Sequence, residues 1–306
     1  MKNGQLQHLN PWQKVGLFLI VFFFAIVFTS ALSQFLGSVL LNSDEPFEIM
    51  NDLTRIDGIR MMKIGNLIAH IVAFIIPAVL LTKLYNFDPK EAILFNKPNS
   101  KFCLLIPLLF ILLTLVNNGL HWVNHQVDFS FISKSTQESL EYQQAVQDKI
   151  IYAYIGETWR SYFVNLFLLA IVPAISEELL FRGLIQNIFS KATQNVWVGI
   201  TFSALVFALI HAQPFNVLPL FALAVCYGII VAFTGSLWIA IALHFMNNAL
   251  MLSFEHLGRR YQLDELYIPS YLGVILLAGS IAIIFWLVKT KKLPNRWNKT
   301  TGIYLR

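Results

Sequence analysis

The stretch Val172-Pro-Ala-Ile-Ser-Glu-Glu-Leu-Leu-Phe-Arg-Gly-Leu-Ile-Gln186 decides how the whole chain is read. An uncharged run from Ser161 to Ser176, rich in Leu, Phe, Ile and Val, leads into it. Apolar sequence resumes through Ile188 and Phe189. Glu177, Glu178 and Arg182 therefore sit inside sequence otherwise suited to lipid. A charge at a bilayer centre costs about 2.5–3.5 kcal/mol on insertion scales, so charges with no task are readily lost. On a helix, Glu178 and Arg182 stand four residues apart on one face and neutralise each other. Glu177 is turned away by about 100° and lies beyond that arrangement. The spacing predicts one carboxylate committed to structure and one left for chemistry.

Outward from this stretch, the chain remains apolar. Its 306 residues are 57% hydrophobic and 13% charged, against about 25% charged in an average soluble domain. The hydrophobic residues are gathered into long blocks, which predict an all-α, polytopic membrane protein of about eight transmembrane helices. The expected spans are 15–41, 64–81, 102–121, a fourth from 161 through Pro173, 196–211, 216–233, 235–254 and 268–288. The first block is longer than the apolar region of about 7–15 residues in a cleaved signal peptide, and reads as a retained span. Pro173 predicts a kink or break in the fourth. The polar segment 122–160 predicts an extramembrane helix with Ser135 or Thr136 as its N-cap.

The chain divides accordingly into three parts. Residues 1–160 hold three spans and the extramembrane helical loop, 161–255 hold spans four to seven around a polar cavity, and 256–306 hold the last span and a basic tail. The net charge of +5 does not argue for nucleic acid, because many Lys and Arg residues flank apolar blocks and face membrane lipid. Most of the 22 fall at the N-terminus, after spans two and four, and in the tail, which predicts both termini cytoplasmic in a plasma or inner membrane. Cys103 and Cys226 lie in apolar blocks without metal or redox spacing and read as small buried hydrophobes.

Two histidines complete the polar set. Phe207 and His211 stand four residues apart, as do His244 and Asn248, each pair on one helix face. Between Lys191 and Glu255 there is no Asp, Glu, Lys or Arg. His211 and His244 are thus the only groups across three spans that titrate readily near neutral pH. A lone intramembrane histidine is more often an interhelical hydrogen-bonder than a catalyst, and His70, four residues after Asn66, receives that reading. Gln34, Asn117 and Asn118 receive it too.

The ordered trio is a different matter. Glu-Glu-x-x-x-Arg at Glu177, Glu178 and Arg182, Phe-x-x-x-His at Phe207 and His211, and His-x-x-x-Asn at His244 and Asn248 follow one another on successive apolar helices. In this the chain resembles the CPBP intramembrane proteases, which include the type II CAAX prenyl endopeptidases and the Abi-type bacteriocin-immunity proteins. The likeness covers 161–254. It implies hydrolysis of a peptide or protein substrate, lipidated in some relatives, within a membrane cavity. Glu177 would serve as general base and His211 would share or orient the water proton. His244 and Asn248 would stabilise the oxyanion.

A metal mechanism stays open beside this one. Glu177, His211 and His244 make a catalytic zinc set with one position left for water, although no His-Glu-x-x-His is present. The cofactor expectation is therefore none, or zinc. Two other functions compete: a catalytically silent membrane-interaction or immunity protein, and an ion-coupled transporter, which would commonly show inverted repeats that this chain lacks. Oligomeric state is not written in the residues. One geometric difficulty stands out. His211 falls towards the outer end of its span and Glu177 and His244 nearer the inner half, so convergence needs a kink at Pro173, a deeper start to span five, or tilted helices.

Overall fold

Apolar segments with no water around them must close their backbone hydrogen bonds internally, and this chain does so as helices. The structure, a computed structural model, describes residues 6, 8–85, 98 and 103–262, and no strand occurs among them. In chain order the helices are α1 (Pro11–Leu41), α2 (Pro46–Asn51), α3 (Ile56–Leu84) and α4 (Ile106–His125). They continue as α5 (Lys134–Ile155), α6 (Trp159–Thr193), α7 (Val196–Ile210), α8 (Val217–Thr234) and α9 (Leu237–Tyr261).

The all-α polytopic fold is the expected one, but the span count is not. Among the described residues six helices are long and apolar enough to cross a membrane, rather than eight. The expected fifth span is α7, whose 15 residues rise only about 22 Å. The expected eighth span, 268–288, and the basic tail lie outside the described residues, as do Lys90, Lys97, Lys101 and Phe102. Cys226 is half-buried, whereas Cys103 is exposed rather than buried.

Of the two effects expected of Pro173, a kink or a break, the break does not occur. Pro173 does not end its helix: α6 runs unbroken for 35 residues. Three wider, π-helical segments lie within the long helices, His70–Ile75 in α3 and Leu166–Ile171 and Leu179–Ile185 in α6. The first two are each followed at the second position by a proline, Pro77 and Pro173. A proline lacks an N–H and its ring crowds the carbonyl four residues back, so a widened turn before it removes both objections at once. The same device appears twice in the molecule.

The N-cap of α5 is Ser133, two residues before Ser135 and three before Thr136, the expected caps, with the Ser133 hydroxyl accepting from the Thr136 N–H at 3.0 Å. Its last carbonyls are met by side chains from other helices: Arg259 on Tyr152, Lys63 on Tyr154 and Asn165 on Tyr154 and Ile155. Cations at a helix C-terminus satisfy its orphan acceptors and its dipole together. Burial pushes the Tyr154 phenol up to about 12.

α6 is the hub. It is buried far more completely than any other span, whereas α1 turns most of its surface outward. Leu180, Phe181, Leu184 and Ile185 of α6 pack with Phe207 of α7, Tyr227 of α8 and Leu237 and Leu243 of α9 in one apolar cluster. α6 and α7 form a tight antiparallel hairpin. At its closest point Gly199 leaves no room for a methyl, which would meet Ser190 Oγ and, at 2.5 Å, the Gln186 carbonyl.

Candidate active site

Glu177 and Glu178 close the short stretch Val172–Glu178, which has a π-helical segment on either side. All four charged or titratable groups at this level are buried: Glu178 is 0%, Arg182 2%, His244 5% and Glu177 7% exposed. Glu178 Oε1 accepts from Arg182 Nη1 at 2.7 Å and from His244 Nδ1 at 2.9 Å. The pairing of Glu178 with Arg182, expected from spacing alone, is therefore present. Arg182 gives a second N–H to the Ala224 carbonyl at 3.2 Å and lies against the rings of Phe207 and Tyr227, 4.8 and 5.5 Å from their centroids. Guanidinium–ring contacts strengthen when desolvated, as here.

The His244 ring joins the two carboxylates. Its Nδ1 is held by Glu178, and its Nε2 lies 3.8 Å from Glu177 Oε2. Tyr227 stacks on its face at 5.5 Å. Glu177 is thus left with one loose contact to an imidazole, while Glu178 holds the close ones.

His211 is the C-cap of α7, half-buried, and its Nδ1 lies 2.6 Å from the Phe207 carbonyl. A carbonyl only accepts, so Nδ1 carries the hydrogen and Nε2 offers a lone pair. Phe207 connects His211 to the cluster: its ring centroid is 4.6 Å from that of His211 and 6.1 Å from that of His244. Asn248 lies one turn beyond His244 and donates to the Leu169 carbonyl, at 3.3 Å, in the first π-helical segment of α6. Among the described residues no hydrogen bond joins His211 or Asn248 to Glu177.

The helix that leads to His211 has the length its apolar block predicts. From the turn at Gln194 and Asn195, α7 climbs 15 residues to His211, and α6 retraces a similar number from Thr193 to Glu177. His211 is half-buried at the end of this helix, between exposed Ile210 and Ala212. At the start of α9, Ser236 and Leu237 are both fully buried, and Leu237 packs beside Gly183 of α6.

One residue of the site was read from the sequence as ordinary helix glue. His70 of α3 is buried, its Nδ1 lies 2.8 Å from Ser176 Oγ, and it sits within electrostatic reach of Glu177, His211 and His244. No local pattern could have shown this, since the contact spans 106 residues. Tyr227 was similarly hidden as one aromatic in an apolar span.

Among the described residues no three His, Cys, Asp or Glu side chains converge as a metal-holding group. His211 and His244 each use Nδ1 for a protein contact, with Phe207 and Glu178, which leaves Nε2 of both as the nitrogen able to ligate.

With this geometry in place, comparison with known families is informative. Residues 159–250 match the family model of the type II CAAX prenyl endopeptidases, Rce1-like. No curated protein and no solved structure matches the chain. The matched stretch includes Glu177, Glu178, Arg182, His211, His244 and Asn248, and bears out the resemblance carried by the three motifs. It supports a CAAX-type intramembrane protease, and hence a peptidase, in a multi-pass membrane protein.

Proposed function

We propose that the protein is an intramembrane endopeptidase in which Glu177 activates the water that attacks the peptide bond. The observation that carries this reading is the division of labour between the two carboxylates. Glu178 accepts from Arg182 and His244, whereas the nearest charged or titratable contact of Glu177 is His244 Nε2 at 3.8 Å. Of the two carboxylates, Glu177 is the one not held by a short hydrogen bond to a cationic or imidazole group, and is the one left to meet a water molecule as general base.

The steps follow from these positions. Glu177 takes a proton from water, helped by the lone pair on His211 Nε2, and the hydroxide adds to the carbonyl carbon. The carbonyl oxygen becomes an oxyanion. His244 can donate to it from Nε2 only as an imidazolium, because Nδ1–H is already given to Glu178, and the Glu178 carboxylate stabilises that cation. A single well-placed donor contributes about 3–4 kcal/mol to such a transition state. Asn248 would join by turning its amide away from the Leu169 carbonyl. Glu177 then returns its proton to the leaving amine as the C–N bond breaks. The substrate is a peptide or protein within the membrane, and the family match favours a C-terminal Cys-aliphatic-aliphatic-X tail carrying a prenyl chain.

The test uses full-length protein in mild detergent and an internally quenched, farnesylated peptide ending in Cys-Val-Ile-Met. Wild type should cleave it, and Glu177→Gln should lose about 10²–10⁴-fold in rate while eluting and melting as wild type does. A wild type that cleaves nothing, or a Glu177→Gln variant that cleaves normally, overturns the proposal. Chelation divides the two chemistries. Activity that survives it supports glutamate alone, and activity lost and restored by zinc replaces that mechanism while keeping the peptidase.

A further inference from the structure

The proposed chemistry uses neither His70 nor His256, both buried, and of these His70 is the one bonded beside Glu177. We infer that His70 is a positioning residue that fixes the aim of Glu177 through Ser176, an inference that rests on the peptidase reading of the site. Ser176 immediately precedes Glu177, and its hydroxyl lies within hydrogen-bond reach of the Val172 carbonyl at 2.8 Å and the Pro173 carbonyl at 3.4 Å, neither of which can donate to it. In the inferred arrangement the hydroxyl hydrogen goes to the Val172 carbonyl, the oxygen accepts from His70 Nδ1–H, and the chain runs from His70 to Ser176 to Val172.

The location of this chain gives it leverage. Val172–Glu178 is seven residues of α-helix between two π-helical segments, where the hydrogen-bond ladder is locally displaced. The rotation of so short a stretch, and with it the direction in which Glu177 points, is weakly fixed by its own ladder. A bond from a neighbouring helix at Ser176 supplies what the ladder lacks. His70 delivers that bond from the first residue of the π-helical segment in α3, and the same segment reaches α6 through Phe74, whose ring packs 6.2 Å from that of Phe181. A histidine that merely filled the core could bond any exposed carbonyl. This one bonds the residue beside the proposed base, and among the described residues its Nε2 has no hydrogen-bond partner. Its contribution is therefore confined to Nδ1–H, a group that asparagine can mimic and glutamine, whose amide reaches to the Nε2 position, cannot.

The experiment compares His70→Ala, His70→Asn and His70→Gln with wild type on the farnesylated peptide, with Glu177→Gln as the inactive reference. Misaiming a catalytic group by about 1 Å costs as much as ~100-fold, so His70→Ala and His70→Gln should lower kcat about 10–100-fold with KM little changed. His70→Asn should restore most of the rate. Ser176→Ala should lower kcat in the same way, and the His70→Ala/Ser176→Ala double variant should be no worse than the poorer single, since residues acting through one bond are not additive. Full activity in His70→Ala, equal losses in the Asn and Gln variants, or additive losses in the double variant would each overturn the inference while leaving the peptidase reading intact. Should His70→Ala fail to fold, the Asn and Gln variants, both amides of similar polarity, decide the question. If wild type leaves the peptide uncut, the peptidase reading fails, and the inference is decided by imidazole ¹⁵N spectra. There His70 must appear as the Nδ1–H tautomer and respond to Ser176→Ala, and any other pattern refutes it.

Discussion

Two arginine–carboxylate pairs in this protein have the same length and opposite surroundings. Arg182 and Glu178 meet at 2.7 Å with side chains 1% and 0% exposed, whereas Arg55 and Asp57 meet at 2.7 Å with both side chains 46% exposed. The outer pair can exchange its partner for water at any moment. The inner pair cannot, and each of its ions has given up several kcal/mol of hydration. The buried arrangement therefore needs further contacts, and it has them: His244 on the carboxylate, and the Ala224 carbonyl and two aromatic rings on the guanidinium. The distance is uninformative here, and the surroundings separate a functional cluster from a surface contact.

The largest expected effect comes from breaking the inner pair on one side only. Arg182→Ala or Glu178→Ala leaves an uncompensated buried charge and should destabilise the protein by about 3–5 kcal/mol, read as a fall in unfolding temperature in mild detergent. Glu178→Met/Arg182→Met sharpens the contrast. It removes both charges, so most of the stability should return, yet cleavage should not, because His244 loses the carboxylate that holds its Nδ1. An Arg182→Ala variant melting with wild type would show that the inner pair is hydrated after all.

Next comes the hairpin that sets the height of His211. Gly199→Ala places a methyl against Ser190 Oγ and the Gln186 carbonyl, and backbone cannot yield as a flexible side chain can. Overpacking of this kind costs about 1–3 kcal/mol, and it should lower kcat as well as stability, since α7 carries His211. A drop in stability with unchanged kcat would separate the hairpin from the site. Smaller again is Ser203→Ala, which removes the hydroxyl donor to the Phe181 carbonyl in the second π-helical segment of α6. About 1 kcal/mol is expected from thermal melts.

The same division between local and distant physics explains what the sequence could show. Hydrophobic blocks report spans directly, and an i, i+4 relation reports an ion pair, so Glu178 and Arg182 were legible from a single stretch. The extent of α7 was legible as well, but an apolar block of 16 residues reads as a crossing, and the helix it forms is shorter than the six candidate spans. Pro173 read as a break because proline usually is one, and a widened turn before it is visible only in the backbone. His70 was legible as an interhelical hydrogen-bonder, but the identity of its partner was not. Its partner lies on another helix 106 residues away, and nothing in its own neighbourhood distinguishes it from a histidine that simply binds helices together.

The smallest expected effect closes the comparison from the other side. Arg55 gives two hydrogen bonds to Asp57, from Nε at 3.2 Å and Nη2 at 2.7 Å, a fork as well formed as a carboxylate can receive. If geometry alone set the strength of such a pair, Arg55→Ala would rank beside Arg182→Ala. Solvent screening argues otherwise, because an exposed carboxylate that loses its arginine is rehydrated at once and salt already weakens the attraction. Arg55→Ala should therefore melt within experimental error of wild type and cleave the farnesylated peptide at the wild-type rate, in low salt and in high. A shift approaching that of Arg182→Ala would mean that burial is not what distinguishes the two pairs, and the special standing given to the inner cluster would lose its physical basis.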